Sequence, residues 1–144
     1  MKTLAWLFGI FVCASSAYGQ KTVTIEGDIR NMPDTVRFFC AEMKGNGMDV
    51  RPEDQEIMVN GKFKFTRETD KTTKMYISLN NTGYTVWVKP GANIKIIGEA
   101  PYVQNWLAKS DIPIPEQVEL NRFREATREE NIRIHDLTAE CMKL

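Results

Sequence analysis

Histidine and cysteine are scarce in this chain: one His and three Cys among 144 residues. A single histidine, His135, cannot build a His-rich metal site or a proton relay. It sits in a charged run without Cys/His ligand spacing and reads as a surface residue. Cys13, Cys40 and Cys141 form no Cys-x-x-Cys, which excludes dithiol exchange by that motif. Positive charge is not in excess either. Lys plus Arg and Asp plus Glu number 19 each, so the basic footprint of a nucleic-acid binder is missing. There is no Gly-rich phosphate loop. Asp49, Glu53 and Asp54 share a loop, but without the alternating ligands and terminal Glu of a calcium loop. No catalytic, cofactor-binding or metal-ligating residue is therefore named, and no cofactor is expected.

Long apolar runs are confined to the start. Lys2 followed by the apolar run Leu4–Ala14 and by Ala17-Tyr18-Gly19 has the layout of a secretory signal peptide, residues 1–19, with Gln20 beginning the mature chain. The run is too short to span a bilayer, and no later stretch is long enough either. Val12 before Cys13 disfavours a lipoprotein site. An exported chain meets an oxidising compartment. Cys40 and Cys141 could pair there, but one sits in a predicted strand and the other near a helix end. Two unpaired small apolar side chains are expected.

What is present reads as short strands and turns. Residues 22–26 alternate, with Val23 and Ile25 inward, and Gly27 marks a bulge. Asn31–Asp34 is a turn, and 35–41 is a central strand forming a hairpin with the first. Residues 44–54 form a solvated loop. Asn60-Gly61 between apolar runs is the strongest hairpin signal in the chain. Two registers are open. A two-residue loop puts Ile57 and Val59 opposite in facing to Phe63 and Phe65. A three-residue loop, Val59–Gly61, puts Ile57, Phe63 and Phe65 on one face, and is expected because it buries more consistently. Strands follow at 74–80, 84–88 and 93–98, with a Pro90-Gly91 turn before the last. Trp106 and Leu107 are placed at one end of the core. This spacing argues a mainly β fold, an antiparallel β-sandwich of about seven strands followed by one long C-terminal α-helix.

From Pro115 to about Met142 the period becomes helical. Leu120, Phe123, Thr127, Glu130, Ile134, Leu137, Cys141 and Leu144 share a three-four stripe. Such a helix would run about 40 Å, longer than a strand can cover. Ile134, Leu137 and Leu144 are therefore expected to meet a protein partner or a second copy of the chain.

Val59–Phe65, Val88–Glu99 and Val23–Gly27, in that order, resemble the DUF4369-type N-terminal accessory domain of exported thiol–disulfide oxidoreductases of Gram-negative bacteria. The resemblance covers roughly residues 20–108, with 109–144 similar to the linker and amphipathic helix that follow. It implies a periplasmic or cell-envelope setting and a redox context. In that family the chemistry sits in a thioredoxin-like domain carrying Cys-x-x-Cys, and no position here matches one. The expected function is a non-catalytic accessory or interaction domain. The alternatives are the front part of a thioredoxin-like oxidoreductase, or a stand-alone envelope ligand-binding module.

Overall fold

The structure is a computed structural model and describes residues 21–80 and 82–144. The expected signal peptide, Cys13, the start at Gln20 and Asn81 of the 81–83 turn lie outside the described residues.

Nine strands and two helices are found among the described residues: β1 Thr22–Arg30, β2 Thr35–Lys44, β3 Gly47–Met48, β4 Gln55–Val59, β5 Lys62–Glu68, β6 Thr73–Leu79, β7 Thr82–Val88, β8 Asn93–Glu99, β9 Leu107–Ser110, α1 Pro115–Ala126 and α2 Arg128–Cys141. The fold is mainly β, as the turn spacing indicated. The strands form one curled, nearly closed sheet in the order β7-β6-β2-β4-β5-β1-β8-β9, with β3 beside β2. The curl encloses a single core that includes Ile25, Phe38, Met58, Ile77, Ile96 and Trp106.

Several sequence expectations are corrected. β1 and β2 do not form a hairpin; β1 lies between β5 and β8, and its pairing with β8 is parallel. The sheet is therefore not purely antiparallel. Gly27 is not a bulge, since β1 stays in register through it on both sides. Its role is space: a Cβ there would lie 2.0 Å from the Phe63 ring. The stretch holding Leu107 is a ninth strand that antiparallel-pairs with β8. The long helix is two, broken at Thr127.

The Asn60-Gly61 hairpin takes the other register. Val59 pairs with Lys62, and Asn60 and Gly61 both have positive φ (49° and 76°), which is the two-residue type I′ turn. A Cβ on Gly61 would meet the Ile29 carbonyl oxygen at 1.8 Å. Met58 is buried, while Ile57 and Val59 face outward at 53% and 52% exposure. The reason is that β4 takes its facing from β2, with which it pairs over five positions, and meets β5 at one. Alternation then brings Glu56 to the same side as Met58.

Where β4 and β5 part, Arg67 fills the seam. It follows Phe63 and Phe65 on the inward side of β5. Its guanidinium donates to the Cys40 carbonyl (3.3 Å), the Asp54 carbonyl (3.2 Å) and Glu56 Oε1 (2.8 Å). It also lies 4.6 Å from the Phe65 ring centroid. The second seam, between β7 and β9, is where the helices enter.

Candidate interaction surface

Helix α1 begins at Pro115, whose fixed φ and missing N–H suit the first helical position. Its buried side chains are polar: Gln117 and Arg124. They stand with Asn121 at three-four spacing, which aligns them on one face. Gln117 Oε1 accepts from the Trp87 N–H of β7 (2.8 Å). Asn121 accepts from the Ala108 N–H and donates to the Ala108 carbonyl of β9 (3.3 and 2.7 Å). Arg124 donates to the Trp106 carbonyl (3.1 Å) and the Thr85 carbonyl (3.2 Å), so one guanidinium spans the gap between both edges. Its Cζ also lies 4.0 Å from the Tyr84 ring centroid. The helix thus satisfies edge backbone groups that would otherwise be buried unpaired.

The break at Thr127 has a local cause. Its hydroxyl donates back to the Phe123 carbonyl (3.0 Å), a bond that bends helices. The buried Asn105 side chain donates to the Arg128 carbonyl (3.2 Å) and accepts from Asn131 (3.0 Å). One turn on, Tyr102 donates to Asp136 (3.3 Å) and packs edge-on against His135. Desolvation, then the Asp136 charge, raises the Tyr102 phenol above its ordinary value. The docking face of both helices is therefore the polar line Gln117, Asn121, Arg124, Asn131 and His135.

The apolar stripe is left outside. Phe123 is 64% exposed, Ile134 63% and Leu137 50%, and Met142 and Leu144 are more exposed still. Of the stripe read from sequence, only Leu120 and Thr127 are partly covered. Ile134, Leu137 and Leu144 thus stand in solvent. The sequence reading missed Gln117, Asn121, Arg124 and Asn131. Their signal was available as three-four spacing on a face about a third of a turn from the apolar one.

A cleft of about 330 Å³ lies on the outer face of β1, β8 and β9. Ile97 and Leu107, cross-strand partners, form its apolar floor, and Tyr102 and Arg128 its rim. Arg30 pairs with Glu99 and Asp28 with Lys62 (both 3.6 Å). Lys95 and Arg128 make no ion pair with a described residue, and Lys95 stands opposite Lys109 across β8–β9. Like charges directly opposed are unfavourable; on its other side Lys95 stands opposite Glu26 of β1, which pairs with Lys64 at 3.7 Å.

The two described cysteines are free thiols, Cys40 buried and Cys141 exposed. Burial, only partly opposed by the Arg67 charge, pushes the Cys40 thiol up to about 12. That is the reverse of what a nucleophilic cysteine needs. Among the described residues, no group of three or more His, Cys, Asp and Glu is disposed to hold a metal, and no helix is long and apolar enough to cross a membrane.

Residues 23–112 match the profile of a family described as Domain of unknown function (DUF4369). The chain belongs to this family. No curated protein and no solved structure shows a significant match. The match to the DUF4369 domain runs from β1 to just past β9. Both α1 and α2 lie beyond it, although α1 completes the sheet.

Proposed function

We propose that this DUF4369 domain is a non-catalytic accessory domain of the bacterial cell envelope, working with thiol–disulfide redox proteins and contributing association rather than chemistry. The observation that carries this reading is the inverted amphipathicity of α1 and α2. Their polar line is spent on the sheet, and Phe123, Ile134 and Leu137 are left in solvent. An apolar stripe rimmed by charge marks an interaction surface. The buried, proton-holding Cys40 supports the absence of thiol chemistry within the domain. The test pairs two assays on the exported chain. Turnover of a disulfide substrate is expected to equal the uncatalysed rate, and turnover above it would overturn the non-catalytic assignment. In-cell cross-links of the domain should disappear in Ile134→Lys/Leu137→Lys while its circular dichroism is unchanged. Cross-links that survive would remove the helical face from the account.

A second reading, an envelope ligand-binding module, draws on the cleft. Its apolar floor beside Lys95 and Arg128 suits a small anion with an apolar body. Binding of a short-chain carboxylate that is lost in Lys95→Glu would favour it.

A further inference from the structure

We infer that the exposed face of α2 pairs with the same face of a second copy of this chain, in antiparallel orientation. This rests on the association role proposed above and names the partner. Thr127, Ile134 and Cys141 alternate with Glu130, Leu137 and Leu144 at spacings of three and four, the seam of a helix pair. Setting Ile134 against Leu137 of a second copy, and Leu137 against its Ile134, centres the pair between His135 and Asp136. The register then fixes the flanks. Arg133 of each copy stands beside Glu140 of the other, twice by symmetry. Both are exposed, and neither makes an ion pair with a described residue of its own chain. Being seven residues apart, they cannot pair with each other along one helix.

A parallel pair lacks this complementarity. It opposes Glu130 to Glu130 within the seam and sets Arg133 beside Thr138, which carries no charge. The barrel also leaves room for the antiparallel pair. It holds the helices through Gln117, Arg124, Asn131 and His135, on a face turned away from Ile134 and Leu137. Its contacts centre near Arg124, so antiparallel pairing about residues 135–136 sets the two barrels about 35 Å apart along the helix axis.

The experiment is sedimentation equilibrium of the full chain, expressed with its leader segment and purified from the cell envelope, at up to roughly 500 µM because the overlap is small. A monomer–dimer equilibrium that weakens with salt is expected. Arg133→Glu and Glu140→Arg should each weaken it about tenfold, and the two together should return it to within about threefold of the original. Ile134→Lys should leave a monomer. A dimer indifferent to the single reversals, or one further weakened by the double, overturns the pairing. So does a dimer that is rapidly locked by a Cys141–Cys141 disulfide, since the antiparallel register keeps those thiols apart. A chain that is monomeric throughout overturns it as well. In that case the in-cell cross-links of Ile134→Lys/Leu137→Lys still decide the broader association role on their own.

Discussion

Arg124 is the most demanding residue in the fold and gives the sharpest prediction. It is 6% exposed, makes no ion pair with a described residue, and spends its guanidinium on the Trp106 and Thr85 carbonyls, one on each side of the β7–β9 seam. Desolvation lowers its pKa from the ordinary arginine value, opposed by Tyr84. Each hydrogen bond from a charged donor is worth about 1.5–3 kcal/mol net. Two such bonds give roughly 3–6 kcal/mol, from which the cost of keeping a cation buried must be subtracted. Truncation to Ala returns that desolvation cost but leaves two carbonyls unsatisfied and a gap over the Tyr84 ring. We expect Arg124→Ala to cost about 3–5 kcal/mol. Arg124→Met refills the gap without the donors and should cost about half as much. Arg124→Lys keeps the charge, but one ammonium cannot reproduce the fork between two edges, so it should fall between Met and wild type. The assay is urea unfolding, with hydrogen exchange at the Trp87 and Ala108 amides as a local reading of the seam. A loss for Arg124→Ala below about 1 kcal/mol, with those amides still protected, would refute the idea that the helix seals the sheet.

The Tyr84 hydroxyl is buried without a hydrogen-bond partner, so Tyr84→Phe should be neutral or stabilising by up to about 1 kcal/mol; a loss larger than that in urea unfolding contradicts the account. Burial holds the protons of Cys40 and Tyr84 up to about 12 each, from ordinary values of 9.0 and 10.0. Their contribution is therefore whole below pH 9 and is lost as pH rises toward 12, and unfolding midpoints should fall over that window with a shallower slope in Cys40→Ala/Tyr84→Phe. Gly27→Ala forces a Cβ into the Phe63 ring and should cost about 1–3 kcal/mol, most of it relieved in a Phe63→Leu background. A chain ending at residue 112 exposes the β7 and β9 edges and should aggregate, whereas one ending at 127 should remain monodisperse by light scattering.

Much of the sheet was legible because strand facing is a local property wherever one side is buried. Val23 and Ile25 point inward as their alternation indicated, and the alternating Met75, Ile77, Ile94 and Ile96 are buried in the same way. The Lys89–Ala92 turn closes by a bond from the Ala92 N–H to the Lys89 carbonyl (3.1 Å), as Pro90-Gly91 foretold. The hairpin register failed because apolar count was taken as the guide to facing. On β4 the inward side carries Glu56, made tolerable by Arg67, and two aliphatic residues face out. The parallel β1–β8 pairing has no local signature, because its partners are separated by almost the whole sheet. The polar docking face of the helices went unread for a related reason. Ile134, Leu137 and Leu144 are left uncovered as expected, but a sheet edge presents N–H and C=O groups, and what complements it is amide and guanidinium.

That last point decides where the domain ends. The family match stops at residue 112, and a boundary drawn there would follow sequence likeness rather than hydrogen bonding. Trp87 offers an N–H, Thr85 and Trp106 offer carbonyls, and Ala108 offers both. None of these is supplied a partner by another strand, because β7 and β9 are the two ends of the sheet. The partners come from Gln117, Asn121 and Arg124, within one helix beginning five residues after β9. A nearly closed barrel with an open seam is an unstable intermediate design: the edges either pair with each other or invite another chain. Here a polar helix occupies the seam, and by doing so it turns its own apolar side outward. The exposed stripe at Phe123, Ile134 and Leu137 is thus a consequence of how the fold closes, and the apolar surface left in solvent is set by the same residues that stabilise the sheet.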